Sequence, residues 1–305
     1  MTIQSISIIG LGALGILYAE HFTKHLHNEN LQIIADESRI QRYESQGIYC
    51  NGELCHFNYA TPGSIHTPSD LIIVATKFEG LEEAIQTIKP LVGEQTIILS
   101  VINGIISEEM LAEAFGYQHV LYCVAQGMDA VKQKNQMTYV NKGLLCIGND
   151  HPEMSSQALS SVATFFEKSQ LPFEIDANMR HRLWGKFMLN VGVNQTLASI
   201  EGKYGDIFLD GPPRQTMVGA MREVIQIANL EGVALTESDL DYWLQVLSKL
   251  SPDGKPSMAQ DVGAKRKSEL PLFAGTVLKL ARKHQLAVPY NESLYDIITQ
   301  KEMLY

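Results

Sequence analysis

Ile8-Ile9-Gly10-Leu11-Gly12-Ala13-Leu14-Gly15 decides the fold. It sets G-x-G-x-x-G directly after a β-branched run, Ile3 to Ile9, and directly before a helical pattern. That pattern extends to about His27, with Leu14, Leu17, Tyr18 and Phe22 on one face. Gly10 permits a tight turn. Gly12 lets backbone approach a pyrophosphate, and Gly15 lets the helix pack closely on a sheet. The helix start offers unbonded N–H groups and a partial positive charge to phosphates. The spacing predicts a dinucleotide-binding βαβ unit in which Gly10, Leu11, Gly12, Ala13, Leu14 and Gly15 meet the cofactor. A glycine turn serving helix packing alone is the alternative.

Outward from this turn, short apolar runs recur at Leu31 to Ala35, Leu71 to Ala75, Thr96 to Leu99 and Val120 to Val124. Leu71-Ile72-Ile73-Val74-Ala75 has no polar interruption, as a strand covered on both faces requires. Helical patterns fall between the runs at Ser38–Gln46, Glu79–Lys89 and Ser107–Phe115. Such alternation predicts a doubly wound α/β sheet. Residues 134–148 read as extended. Beyond about 152 helix follows helix: Pro152–Lys168, Ala177–Ile200, Pro213–Glu231, Glu237–Leu250, Ser268–His284 and Asn291–Gln300. The expected architecture is α/β, with an N-terminal Rossmann-type doubly wound sheet over 1–170 and an all-helical C-terminal domain over 171–305.

The 305 residues suffice for two ordinary domains with substantial cores. A net charge of -10 argues against nucleic acid as a partner, while leaving room for one basic pocket holding a small anion. The four cysteines, Cys50, Cys55, Cys123 and Cys146, form no CxxC pair and are too few for a disulfide framework. Reduced thiols, no leader pattern and no apolar run long enough to span a bilayer point to a cytoplasmic protein with no membrane partner.

Several polar residues then mark a site. Asp36 and Arg39 follow the second strand. An acid there takes the ribose hydroxyls of NAD and repels a 2′-phosphate, whereas Arg39 could pair with one. Asp36 could equally cap the next helix. Lys77 and Asn103 sit just beyond two sheet strands, where α/β sheets bind ligands. In the second half, Lys186, Asn190 and Asn194 recur every fourth residue. At about 100° per residue they form one stripe on a helix that is otherwise apolar nearly all round. The stripe is either a solvated face or a ligand-facing site. A buried ammonium and two amides need partners, and an ammonium suits carbonyl reduction, where negative charge develops on oxygen.

Two other clusters are read more plainly. His21, His25 and His27 share the first helix, and His21 and His25 have spacing that could grip zinc. With no third ligand they are expected on a solvated face, and no metal site is expected. Lys265-Arg266-Lys267 is expected to be solvated surface or the wall of an anion-binding cleft.

These residues together resemble the ketopantoate reductase (2-dehydropantoate 2-reductase) family. The resemblance spans essentially the whole chain. It rests on Gly10-x-Gly12-x-x-Gly15, Ala75-Thr76-Lys77, Asn103-Gly104 and Trp184-Gly185-Lys186-x-x-x-Asn190-x-x-x-Asn194. A final block comprises Pro256-Ser257-Met258-Ala259-Gln260-Asp261, then Lys265 to Glu269, then Gly275. The resemblance implies NADPH-dependent reduction of 2-dehydropantoate to (R)-pantoate, a step toward pantothenate and coenzyme A. It makes Lys186 the catalytic acid, and Asn190, Asn194 and Ser257 substrate ligands. It places Asn103 on both cofactor and substrate, and Lys77 and Glu269 on the cofactor side. It also implies a homodimer formed through the helical domain. Without the resemblance, Ser257 reads as a helix cap and Glu269 as a surface carboxylate.

Three positions depart from the family pattern. Asp36 stands where many members carry a basic residue for the 2′-phosphate, which makes NADH the alternative cofactor. Pro256 stands where a serine is common. The stretch Tyr122–Met137, with Gln126 and Asp129, lacks the usual small residues. Reduction of another branched 2-keto acid, or a non-catalytic dinucleotide-binding sensor of the same fold, are the alternative functions.

Overall fold

A computed structural model describes residues 2–26, 30–153 and 156–305. It divides into two compact units, Met1–Met179 and Arg180–Tyr305.

The first unit is built on an eight-stranded sheet. Its elements begin with β1 (Ile6–Ile9), α1 (Ala13–His25), β2 (Leu31–Ile34) and α2 (Glu37–Gln46). Three two-residue strands follow: β3 (Tyr49–Cys50), β4 (Glu53–Leu54) and β5 (Tyr59–Ala60). Next come β6 (Leu71–Val74), α3 (Leu81–Ile88), β7 (Ile97–Ser100) and α4 (Ser107–Phe115). The unit ends with β8 (Val120–Gln126), β9 (Val131–Gln133), β10 (Gln136–Thr138), β11 (Leu144–Gly148), α5 (Ser156–Lys168) and β12 (Phe173–Ile175). The strand order is β12-β11-β8-β7-β6-β1-β2-β5. From β5 through β8 all neighbours are parallel, and β11 then turns antiparallel against β8.

Register aligns Ile9 with Ile34 on one side and Val74 on the other. The chain goes from β1 out to β2 and returns to add β6 on the opposite flank of β1. That reversal is the switch point at which doubly wound sheets leave a crevice beyond their carboxyl ends. The strands are four-residue apolar runs because both faces are covered: Leu71, Ile72, Ile73 and Val74 are fully buried. On one face Ile9, Ile72, Val74 and Ile98 join Leu81, Ile85, Ile88 and Leu111 of α3 and α4 in a single core. Elsewhere Phe22 of α1 meets Phe165 of α5 with ring centroids 5.2 Å apart. A second small sheet, in the order β4-β3-β10-β9, lies alongside α1.

The helical unit contains no strand. It continues through α6 (Met179–Ile200), α7 (Pro212–Leu230), α8 (Glu237–Leu247), α9 (Ser257–Gly263), α10 (Thr276–His284) and α11 (Pro289–Glu302). The 22-residue α6 is its axis. A side chain on Gly185 would meet the Trp243 indole at 2.6 Å, and one on Gly192 would meet Met221 at 2.4 Å. Those glycines let α8 and α7 approach α6 closely. Phe187 packs on Phe273, and Gln195 donates to Asn291 of α11 at 3.1 Å. Neighbours on so many sides explain why α6 is apolar nearly all round.

The helix expected over Ser268–His284 starts later and in another form. Pro271–Gly275 is a π-helical turn, with the Gly275 N–H donating to the Leu270 carbonyl across five residues, and it runs directly into α10. Pro271, having no N–H, sits in the first turn, where none is needed. Met154 and Ser155, inside the helix expected from Pro152, lie outside the described residues, as does His27.

Candidate active site

The glycine turn has the geometry its spacing implies. Gly10 adopts φ +94°, and a Cβ there would lie 2.7 Å from the Ala75 carbonyl oxygen. A Cβ on Gly15 would fall 1.9 Å from the Gly10 carbonyl oxygen, so α1 crosses the turn at backbone contact. Gly12 differs. It has ordinary dihedrals and caps α1, and a Cβ on it would meet only the Ala75 carbonyl oxygen, at 3.5 Å. Space for a side chain exists at Gly12 as far as the protein is concerned.

That space belongs to a cleft of about 310 Å³. Its floor is Ile9–Gly12 after β1, Ile33–Ala35 at the end of β2, and Ala75–Lys77 after β6. Arg39 and Tyr43 of α2, Gly80, Glu83, Ala84 and Thr87 around α3, and Lys132 of β9 complete it. Of the residues named from the sequence, Gly10, Leu11, Gly12, Arg39 and Lys77 line this cleft. Ala13, Leu14 and Gly15 form the first turn of α1. Asn103 follows the neighbouring strand β7 and is not part of the lining.

Asp36 is the N-cap of α2. Its carboxylate accepts from the Arg39 N–H at 2.8 Å and from the Ser38 hydroxyl at 2.6 Å, with Arg39 Nε 3.3 Å away. The Ser38 hydroxyl, then the Arg39 backbone N–H, hold this carboxyl below its ordinary range. Arg39 in turn donates two bonds to Glu83, at 2.9 and 3.3 Å.

The cleft fits a dinucleotide on two observations. The Thr76 hydroxyl oxygen is buried in its wall with no hydrogen-bond partner, which is costly unless a ligand supplies one. The unfilled space at Gly12 stands at the start of α1, whose first turn carries no acidic side chain to compete with a phosphate.

In the helical unit, Lys186 and Asn190 are half-buried and Asn194 is 7% exposed, along one line of α6. Asn194 is flanked by the fully enclosed Val193, Gln195 and Leu197, whereas Lys186 and Asn190 keep part of their surface open. Ser257 is exposed as the first residue of α9. The cap is Pro256, whose fixed φ of -68° with extended ψ suits the flanking position and moves Ser257 one place inward. Glu269 is half-buried at the entry to the π turn, its carbonyl accepting from the Leu272 and Phe273 N–H groups. The strap before it is tied to the end of α11. Ser268 donates through its N–H to Glu302 at 2.9 Å and through its hydroxyl to the same oxygen. A larger hollow of about 620 Å³, lined by Arg214, Arg222, Glu223 and Tyr290 among others, contains none of these residues. Arg222 is already engaged with Glu237 there, and Glu223 with backbone N–H groups of Tyr290 and Asn291.

The histidines correct one expectation. His21 is buried rather than solvated. Its Nε2 is bonded to the Ser169 carbonyl and its Nδ1 to Lys142 Nζ, both at 2.8 Å, and its ring stacks on His25. Among the described residues no group of three or more His, Cys, Asp or Glu is placed to hold a metal. No helix among them is long and apolar enough to cross a membrane. In the basic cluster, Arg266 pairs with Asp261 at 2.8 Å and Lys267 with Glu302 at 3.7 Å.

Sequence reasoning missed Tyr43, Thr76, Glu83, Thr87 and Lys132 in the cleft. This group carried one usable signal: Gly80, the cap of α3, and Glu83, Ala84 and Thr87 within it fall at helical spacing after β6.

Comparison with known proteins adds the lineage. Residues 6–151 match the family described as ketopantoate reductase PanE/ApbA, and residues 178–302 match its C-terminal domain. The chain is 24% identical over 301 residues to the 2-dehydropantoate 2-reductase of Aquifex aeolicus, covering 97% of this chain and 96% of that one. It is 25% identical over 304 residues to the Pyrococcus horikoshii enzyme of the same name, covering 99% and 98%. A crystal structure of a PanE/ApbA family ketopantoate reductase from Ralstonia eutropha superposes with a TM-score of 0.83 at 22% identity, covering 98% of each chain. A ternary structure of D-mandelate dehydrogenase with NADH and anilino(oxo)acetate superposes with a TM-score of 0.86 at 18% identity, again covering 98% of each. Family match over both halves, the switch-point cleft and the helical second unit agree: the chain belongs to the ketopantoate reductase family, and is an oxidoreductase of the 2-dehydropantoate 2-reductase type.

Proposed function

We propose that this protein reduces 2-dehydropantoate to (R)-pantoate with a reduced nicotinamide cofactor, using Lys186 as the general acid, in the cytoplasm. The observation that carries this reading is the Lys186–Asn190–Asn194 line on a helix that buries Trp184, Phe187, Met188, Val191 and Val193 on its other faces. The N-terminal unit is the dinucleotide-binding half and the helical unit the substrate half. Gly10, Leu11, Gly12, Arg39 and Lys77 would hold the cofactor in the cleft, with Asn103 and Glu269 as further contacts. The bound cofactor supplies a hydride to the keto carbon. The Lys186 ammonium stabilises the negative charge that develops on the keto oxygen and delivers the proton that completes the alcohol. Asn190, Asn194 and Ser257 orient the substrate's hydroxyl and carboxylate oxygens.

NADPH is the cofactor the family resemblance implies. The pairing of Arg39 with Asp36 and Glu83 favours NADH, because a 2′-phosphate would have to displace a carboxylate and lie beside two. Two relatives bear on cofactor and assembly. One neighbouring structure is of D-mandelate dehydrogenase with NADH, and another is described as a dimeric ketopantoate reductase from Staphylococcus aureus. A homodimer is proposed for this chain on that likeness.

The test is turnover of 2-dehydropantoate with each reduced cofactor, beside other branched 2-keto acids. Lys186→Ala should lower kcat by at least about a hundredfold while the cofactor Kd changes by less than about twofold. Tight cofactor binding with no reduction of any branched 2-keto acid would overturn this reading in favour of a sensor.

A further inference from the structure

Among the described residues that line the cleft, Lys132 is the one from a distant part of the chain. It stands on β9, in the small second sheet, and its Nζ donates to the Leu11 carbonyl oxygen at 2.6 Å, across 121 residues of sequence. Leu11 directly precedes Gly12, the cap of α1. The ammonium is therefore held at the positive end of a 13-residue helix whose first turn contains no acidic residue. Helix ends stabilise the opposite charge, so this cation sits where the helix disfavours it. No carboxylate among the described residues pairs with it, and the Arg42 guanidinium adds further repulsion. Burial, and then Arg42, lower its pKa from the ordinary lysine value. A partly buried, unneutralised cation beside the start of α1 is a cost to the cofactor-free protein. An anion between them removes it.

We propose that Lys132 is a phosphate ligand of the cofactor, its ammonium facing the pyrophosphate from the side opposite the α1 N–H groups. This rests on the cleft being a dinucleotide site. The Leu11 bond takes one of the three ammonium N–H donors and fixes the side chain's position, which leaves two for phosphate oxygens. The arrangement differs from a glycine turn working alone, because charge as well as backbone N–H groups then meets the pyrophosphate, and the charge is supplied by the second sheet.

Lys132→Gln separates this role from that of a loop clasp, since the Gln amide keeps a donor for the Leu11 carbonyl but not the charge. Titrations of NADH, ADP and adenosine into wild type and variant are the measurement, at low and at high salt. The variant should bind NADH and ADP at least about tenfold more weakly at low salt. It should hold adenosine within about twofold, and its NADH affinity should depend less steeply on salt. Lys132→Arg should recover most of the loss. Equal NADH and ADP affinity in wild type and Lys132→Gln would overturn the assignment and leave the dinucleotide reading intact, with Lys132 a clasp. Equal losses for adenosine and ADP would overturn it as a general disturbance of the cleft. A wild-type protein that binds none of NADH, NADPH and ADP would overturn both.

Discussion

Arg39 lays two guanidinium nitrogens on the Glu83 carboxylate, at 2.9 and 3.3 Å, within the cleft that the glycine turn floors. The pair joins α2 to α3, and it occupies the side chain best suited to a 2′-phosphate. Both partners are substantially exposed, so the pair contributes at most about 1 kcal/mol to folding. Glu83→Gln should leave the melting temperature nearly unchanged and raise the ratio of kcat/KM for NADPH over NADH by about tenfold, through a charge-assisted bond from Arg39. Asp36→Arg should move the ratio the same way. A ratio unmoved in both variants would show that the ribose is read by other residues.

Gly12 and Gly15 should separate folding from binding. Gly15→Ala drives a methyl to 1.9 Å from a backbone oxygen, and neither side can yield cheaply. It should destabilise the protein by about 3 kcal/mol or more, visible as a large fall in melting temperature. Gly12→Ala meets nothing closer than 3.5 Å and should fold with a melting temperature close to wild type. Its cofactor Kd should rise by about tenfold or more, because the methyl stands where a phosphate must approach.

Acid should weaken the first unit through His21. Burial, then the Lys142 ammonium, then His25, lower its pKa from 6.5 to about 4. Between those values the unfolded chain binds a proton that the folded protein refuses. Stability is therefore complete above pH 6.5 and falls as pH drops toward 4, by up to roughly 3 kcal/mol from this group. Denaturant titrations of wild type and His21→Gln across that window measure it. A pH slope identical in the two proteins would assign the acid sensitivity elsewhere.

Asn291, fully enclosed, should be a weak point of the helical unit. Its side-chain amide donates to Glu223 at 2.7 Å, its carbonyl accepts from Gln195, and its backbone N–H is bonded to Glu223 as well. Asn291→Leu leaves the Glu223 carboxylate and the Gln195 amide short of partners and should cost about 3 kcal/mol or more. Chemical denaturation checks it, and a loss below about 1 kcal/mol would show that the network relaxes around the change.

The sheet was legible because its strands are uninterrupted apolar runs separated by amphipathic helices, and the glycine turn because three glycines at fixed spacing have one common structural use. Leu71–Val74 and Ser107–Phe115 needed nothing beyond that. The two-residue strands β3, β4 and β5 have no period to read. Pro256 displaced Ser257 from the cap by a backbone preference that a hydroxyl-based reading overlooks. His21 looked solvated because its burial comes from Lys142, Ser169 and α5, far along the chain. Glu83 and Lys132 enter the cleft by tertiary packing. A lone lysine in a three-residue strand carries no local mark of where its ammonium will lie.

The π turn at Pro271–Gly275 has a final consequence. Such a turn accommodates one residue more than a regular α-helical path over the same stretch, so it acts as a phase shifter between α10 and the strap carrying Ser268 and Glu269. Deleting a single residue there would let the helix close regularly while turning everything before it by about 100°. The bond between Ser268 and Glu302 would then be out of phase, and Glu269 would face another way, with the fold otherwise intact. One codon in this segment therefore sets the angular position of Glu269 relative to α10.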